Sequence, residues 1–151
     1  MVKIPKIVWN PVYSVHVEAL DEQHRKLFDI VNRMIDLFES DAGSYLPVIE
    51  ELVEYLTVHF HLEHIIMMKI GYPRLAEHNR EHQKFTEKIA AFLKGHEAED
   101  PELGFNMVLF LKEWVRDHTT MLDVQYGDYL LRHADSRAQL SDLVGAPMKP
   151  L

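Results

Sequence analysis

The chain contains no cysteine. That excludes disulfides, thiolate metal sites, iron–sulfur clusters and a cysteine nucleophile. No apolar run approaches the ~18 residues of a membrane span, and the first residues, MVKIPKIVWNP, lack the apolar stretch of a secretory leader. A cytoplasmic location is the expectation that follows. Basic residues number 16 against 24 acidic ones, for a net charge of −8, and neither sign forms a block. Nucleic acid and anionic membranes recruit basic faces, so neither is expected as a partner. There is no internal repeat, no low-complexity tract and no convincing strand pattern. A single soluble helical domain remains, large enough to bury roughly two-thirds of its unfolded surface.

What the chain does have is histidine, ten of them in 151 residues. Histidine is the commonest metal ligand and the usual group titrating near neutrality. Five of the ten fall within the single stretch HFHLEHIIMMKIGYPRLAEHNREH, residues 59–82. Titratable groups are almost never fully buried unless they are paired or ligate a metal. Whether these lie on apolar helix faces therefore decides how they are read.

An arm over residues 1–17 holds two prolines and Trp9 and reads as extended. Four helical patterns follow. The first runs over about 19–40, with Leu20, Leu27, Val31, Met34 and Phe38 on its apolar stripe. After the breaker SDAGS, Ser44 can cap the second helix, with Pro47 tolerated in its first turn. That helix continues to about residue 70 and stops at Gly71. Pro73 can open the third, which fades at Gly95. The fourth spans about 101–132. Residues 133–151 carry weaker periodicity with glycine and proline and read as a tail outside the bundle. The predicted architecture is all-α: an up-down-up-down antiparallel four-helix bundle over 1–132, with an extended N-terminal arm and a short C-terminal tail.

The inward stripe of the second helix reads Ile49, Leu52, Leu56, His59, Glu63, Ile66, Ile70, alternating in steps of three and four. His59 and Glu63 thus occupy core positions in an aliphatic seam. On the third helix Leu75, His78, His82, Phe85, Ile89 and Phe92 repeat the pattern. His24 lies between Leu20 and Leu27 on the first stripe. The fourth helix presents Met107, Leu111, Trp114 and His118, and then Asp123. Side chains at i and i+4 stand ~5–6 Å apart between Cβ atoms, so His59/Glu63 and His78/His82 can each converge on one centre. One layer of the bundle would assemble five imidazoles and two carboxylates, a donor set suited to divalent first-row metals, with carboxylates able to bridge two ions.

His118 and Asp123 break the rule. They are five residues apart, ~140° around a regular α-helix. A π-bulge between them would bring Asp123 back beneath His118, and such bulges favour functional sites; Met121 and Leu122 offer an unbulged continuation instead. His16, His61, His64, His96 and His133 fall off the stripes or outside the helices and read as solvated or supporting residues. Met67 and Met68 read as core filler. Phe60 and Trp114 flank candidate ligands and can line a pocket or simply pack.

The runs SVHVEALDEQHRKLF, HF-x-x-E, GYP-x4-H-x3-H-x-x-F and W-x3-H-x4-D-x2-YG resemble the hemerythrins, specifically the single-domain bacterial ones, over roughly residues 7–131. The resemblance implies a non-haem di-iron centre that binds O₂ reversibly. His78, His82 and His118 would hold one iron; His24 and His59 would hold the other, with a position left open for O₂. Glu63 and Asp123 would bridge both ions alongside an oxo or hydroxo group, with O₂ held as hydroperoxide on one iron. Leu27, Phe60, Trp114, Thr119 and Tyr126 would surround the ligands or the O₂ pocket. The implied role is an oxygen carrier, store or deliverer rather than an enzyme. The alternatives are an O₂ or redox sensor, or a di-iron enzyme acting on NO or peroxide. No protein partner is named by the residues. The chain departs from the family pattern at His64, where an acidic residue is common, and at Thr119, where isoleucine is common; a Thr119 hydroxyl in the pocket could hydrogen-bond bound dioxygen or admit water.

Overall fold

A computed structural model describes residues 3–40, 43–97 and 103–133. The four apolar stripes become four long helical runs: α1 (Glu18–Ser40), α2 (Leu46–Lys69), α3 (Leu75–Glu97), and a last run of α4 (Leu103–Asp117), a π-helical segment (His118–Asp123) and α5 (Val124–Arg132). Helix α1 packs on α2 and α4, and α3 packs on α2 and α4, so the pairs close a ring. No described helix is long and apolar enough to cross a membrane. The start expected for the fourth helix near residue 101 and the tail over 134–151 lie outside the described residues.

The helix ends follow local chemistry. Pro47 sits in the first turn of α2; the N-cap is Tyr45, without a side-chain cap bond, and Ser44, expected as the cap, lies one residue earlier, where its hydroxyl accepts the Leu46 amide at 3.2 Å. At the other end Gly71 takes φ +66°, and the Tyr72 amide reaches back to the Met67 carbonyl at 2.9 Å. That is the left-handed helix stop for which glycine is favoured. Two boundaries differ from expectation. Pro73 lies in the turn before α3 rather than inside it: the Leu75 amide closes that turn on the Tyr72 carbonyl at 3.2 Å, and the bond from the His78 amide to the Arg74 carbonyl at 3.0 Å follows it. Helix α3 continues through Gly95, whose cost in a helix is only about 1 kcal/mol against alanine.

The N-terminal arm is extended, as expected, but it is also tied down. Ile4 and Ile7 are buried. Asn32 accepts the Ile7 amide and donates to the Ile7 carbonyl, both at 2.8 Å. After a 3₁₀ turn at Pro11–Tyr13, buried Asp21 takes the Val15 amide at 2.9 Å. Gly127 is where the arm crosses the last helix. A Cβ there would lie 2.7 Å from Val15 Cα, so only glycine admits this approach.

The apolar core is split in two. One cluster contains Leu27, Met34, Leu52, Leu56, Phe85, Leu111 and Val115. The other contains Val15, Leu20, Ile66, Met67, Tyr72, Tyr126 and Leu130. On every helix the residues between the two are polar: His24 on α1, His59 and Glu63 on α2, His78 and His82 on α3, His118 and Asp123 around the π segment, all buried. Each fully buried aliphatic side chain contributes about 1.5–3 kcal/mol, and the two clusters together hold a layer whose desolvation opposes folding.

Candidate metal centre

The π segment explains how the fourth helix delivers two residues to one layer. The extra residue lets both His118 and Asp123 face inward, while of the two unbulged alternatives Met121 is 63% exposed and Leu122 half-buried. The Thr119 and Thr120 hydroxyls donate to the Val115 and Arg116 carbonyls, each at 2.7 Å, where the backbone changes register. This corrects one expectation. Thr119 is buried, but its hydroxyl donates to its own helix rather than into a pocket.

All seven residues expected to bind metal meet in one layer. They form two groups that share Glu63 and Asp123: one with His78, His82 and His118, the other with His24 and His59. In the first, His118 Nε2 lies 2.8 Å from His82 Nε2 and 3.2 Å from His78 Nε2. In the second, the Nε2 atoms of His24 and His59 are 3.1 Å apart. The carboxylates divide their oxygens between the groups. Glu63 Oε1 is 3.2 Å from His59 while Oε2 is 3.2 Å from His82. Asp123 Oδ2 is 3.1 Å from His24 while Oδ1 is 3.2 Å from both His78 and His118.

These separations fit metal. Two donor atoms about 2.1 Å from a common ion and at right angles stand about 3.0 Å apart. Glu63 Oε2 and both Asp123 carboxylate oxygens are buried without a hydrogen-bond partner among the described residues, a costly state that a cation at each group relieves.

The electrostatics favour positive charge here. Burial opposes charge on His24 and His78, but the adjacent carboxylates of Asp123 and Glu63 outweigh it, raising their pKa values to about 9 and about 10. Burial pushes His82 downward. Glu63 and Asp123 resist burial through the surrounding imidazoles and stay below the usual carboxylate range. A dry pocket that holds extra protons on imidazole in this way is one in which cations compete for the same nitrogens.

The residues expected around the ligands are placed as follows. Phe60 stacks on His82 with centroids 3.8 Å apart, and Trp114 on His118 at 4.3 Å. Tyr126 is fully buried and donates to Glu63 Oε1 at 2.7 Å; burial and the two carboxylates push its own pKa up. Leu27 lies wholly inside the first apolar cluster. His64 is half-buried, with Nδ1 2.9 Å from Asn79 Nδ2. His16, His61 and His133 are exposed, and the His96 side chain is outside the described set. Sequence reasoning missed Gln23, buried beside His24, whose Oε1 lies 2.7 Å from His59 Nδ1. That contact holds the proton on Nδ1 and leaves Nε2 for the centre. The spacing of Gln23, three residues after Leu20 and four before Leu27, fits the stripe as well as that of His24, so periodicity alone does not separate the two.

Residues 15–127 match the family described as the hemerythrin HHE cation binding domain. The chain belongs to the hemerythrin family. This hemerythrin is 29% identical over 127 residues to a bacteriohemerythrin of Clostridium acetobutylicum, covering 80% of this chain and 98% of that relative. It is also 29% identical over 119 residues to a bacteriohemerythrin of Methylococcus capsulatus, covering 78% and 91%. A crystal structure of a leucine-to-phenylalanine mutant shares its fold, with a TM-score of 0.70 at 28% identity, covering 81% of this chain and 95% of that one.

Proposed function

We propose that this hemerythrin binds O₂ reversibly at two iron ions, one held by His78, His82 and His118, the other by His24 and His59, with Glu63 and Asp123 shared. The observation that carries the reading is the split of both carboxylates, one oxygen toward each imidazole group. When bound, the iron pair supplies the electrons that O₂ takes up on binding and returns on release. The His24/His59 group offers one imidazole fewer, so an ion there keeps more room for a small molecule. Gln23 orients His59, and Tyr126 holds Glu63 in place between the groups. Phe60 and Trp114, stacked on ligand rings, keep water away from the three-histidine side.

Carriage is favoured over oxidation by the donor balance. Ferritin-like di-iron proteins use four carboxylates and two Glu-x-x-His motifs, and this chain contains no Glu-x-x-His. Five neutral imidazoles with two carboxylates donate less negative charge and stabilise high-valent iron poorly. Iron-loaded, reduced protein is expected to gain a visible charge-transfer band in air and lose it on degassing. Direct, irreversible passage to an oxidised spectrum would refute carriage and favour the sensor or enzyme reading.

A further inference from the structure

The centre is sealed at both ends of the bundle by apolar clusters in which Leu20, Ile66 and Tyr126 on one side and Leu27, Leu56 and Val115 on the other are at most 2% exposed. A hydrated cation cannot cross such packing without shedding its water into hydrocarbon. The side of the bundle offers another way in. A pocket of about 420 Å³ opens beside the last helical run, with Trp114, His118 and Leu122 among its lining and Glu81, Glu113 and Asp117 around it. Among the described residues, no lysine or arginine lines it. A narrow cleft alongside shares Glu81 and Leu122 and is lined by His78.

His118 connects this pocket to the centre. It is 4% exposed, and its Nε2 is 3.2 Å from Asp123 Oδ1 in the centre. Its Nδ1 is buried and has no hydrogen-bond partner among the described residues. One imidazole thus borders both the acidic pocket and the seven-residue cluster. Carboxylates with imidazole suit divalent first-row cations. Lys84 pairs with Glu81 and Arg116 with Asp117, each at 2.7 Å. Both are surface pairs, of a kind that contributes about 0–1 kcal/mol and yields readily to a divalent ion.

We propose that this pocket is the port through which divalent first-row ions reach the centre, with Glu81, Glu113 and Asp117 gathering the ion and His118 receiving it. The inference rests on the reading of the centre as a metal site. The step is ligand exchange without redox change. Water on the incoming ion is replaced first by carboxylate oxygen and then by imidazole nitrogen, and protons held on the centre's histidines leave to solvent. An acidic rim of this kind raises the local cation concentration and the rate of entry.

The test is cobalt(II) chloride uptake by the metal-free full chain, followed by stopped-flow visible absorption. The rim variant E81Q/E113Q/D117N is compared with D29N/E50Q/E54Q, which removes three exposed carboxylates elsewhere. The expected result is uptake slowed about tenfold or more in the rim variant alone at low salt. The same two ions per chain bind at equilibrium, and the difference shrinks at high salt. Equal slowing in both variants, or no slowing in the rim variant, overturns the port while leaving the centre intact. Failure of the unaltered chain to take up cobalt overturns the reading of the centre and the port with it.

Discussion

Replacing Tyr126 with phenylalanine isolates one hydroxyl. The tyrosine is fully buried and donates to Glu63 Oε1 at 2.7 Å. Phenylalanine fills the same volume less one oxygen, so packing is nearly unchanged and the loss is the hydrogen bond. Glu63 is held ionised well below its usual range, and a hydrogen bond to a charged group contributes about 1.5–3 kcal/mol. Because Oε1 keeps His59 at 3.2 Å, the expected loss for the metal-free protein is about 2 kcal/mol, a fall in Tm of roughly 4–8 °C. Urea denaturation with an unchanged slope measures it directly. Tyr129→Phe is the control: that hydroxyl makes an exposed 3.4 Å contact to the Gly71 carbonyl, and its loss should cost less than about 0.5 kcal/mol. Metal affinity of Tyr126→Phe should also drop, by about 10–100-fold. A variant that melts within about 1 °C of the parent and binds metal equally well would refute this account of Glu63.

Gln23→Leu removes the partner of His59 Nδ1, and should weaken metal binding about 10–100-fold in a calorimetric titration while the fold persists. Deleting Thr120 removes the residue that the π segment accommodates and leaves His118 and Asp123 four apart, ~40° around a regular α-helix; helicity by circular dichroism and two bound ions per chain should both persist, and loss of an ion would contradict this account of the segment. In the metal-free protein, His24 and His78 are raised from 6.5 to about 9 and about 10. Their pairing with Asp123 and Glu63 therefore stabilises fully below about pH 6.5 and is lost as pH rises through 9–10. The depressed carboxylates act the other way, their contribution vanishing as pH falls through their folded values. Metal competes with the same protons, so loading near pH 7 should release protons into weak buffer and tighten as pH rises. A dye-monitored titration with no release would contradict this.

The bundle and its polar layer were legible because both are written in periodicity. Steps of three and four placed His59, Glu63, His78 and His82 on buried stripes, and the five-residue step from His118 to Asp123 called for the π segment that is present. Contacts that depend on neighbouring helices were not legible. Gln23 shares the three-and-four spacing between Leu20 and Leu27 with His24, and gains meaning only when α2 brings His59 to it. The arm read as extended, yet its anchors, Asn32 and Asp21, are long-range polar contacts without a local pattern. Thr119 illustrates a different loss: the resemblance directed attention to the pocket, whereas threonine in a helix commonly turns its hydroxyl to the carbonyl four residues back.

The central claim is reversible O₂ binding at a paired metal site, and gas stoichiometry tests it most directly. Reduced protein carrying two irons per chain is exposed to a measured quantity of O₂ and then evacuated. The account predicts uptake of one O₂ for each iron pair and its recovery as O₂ under vacuum. Uptake without recovery, or continuing consumption beyond that ratio, would contradict it.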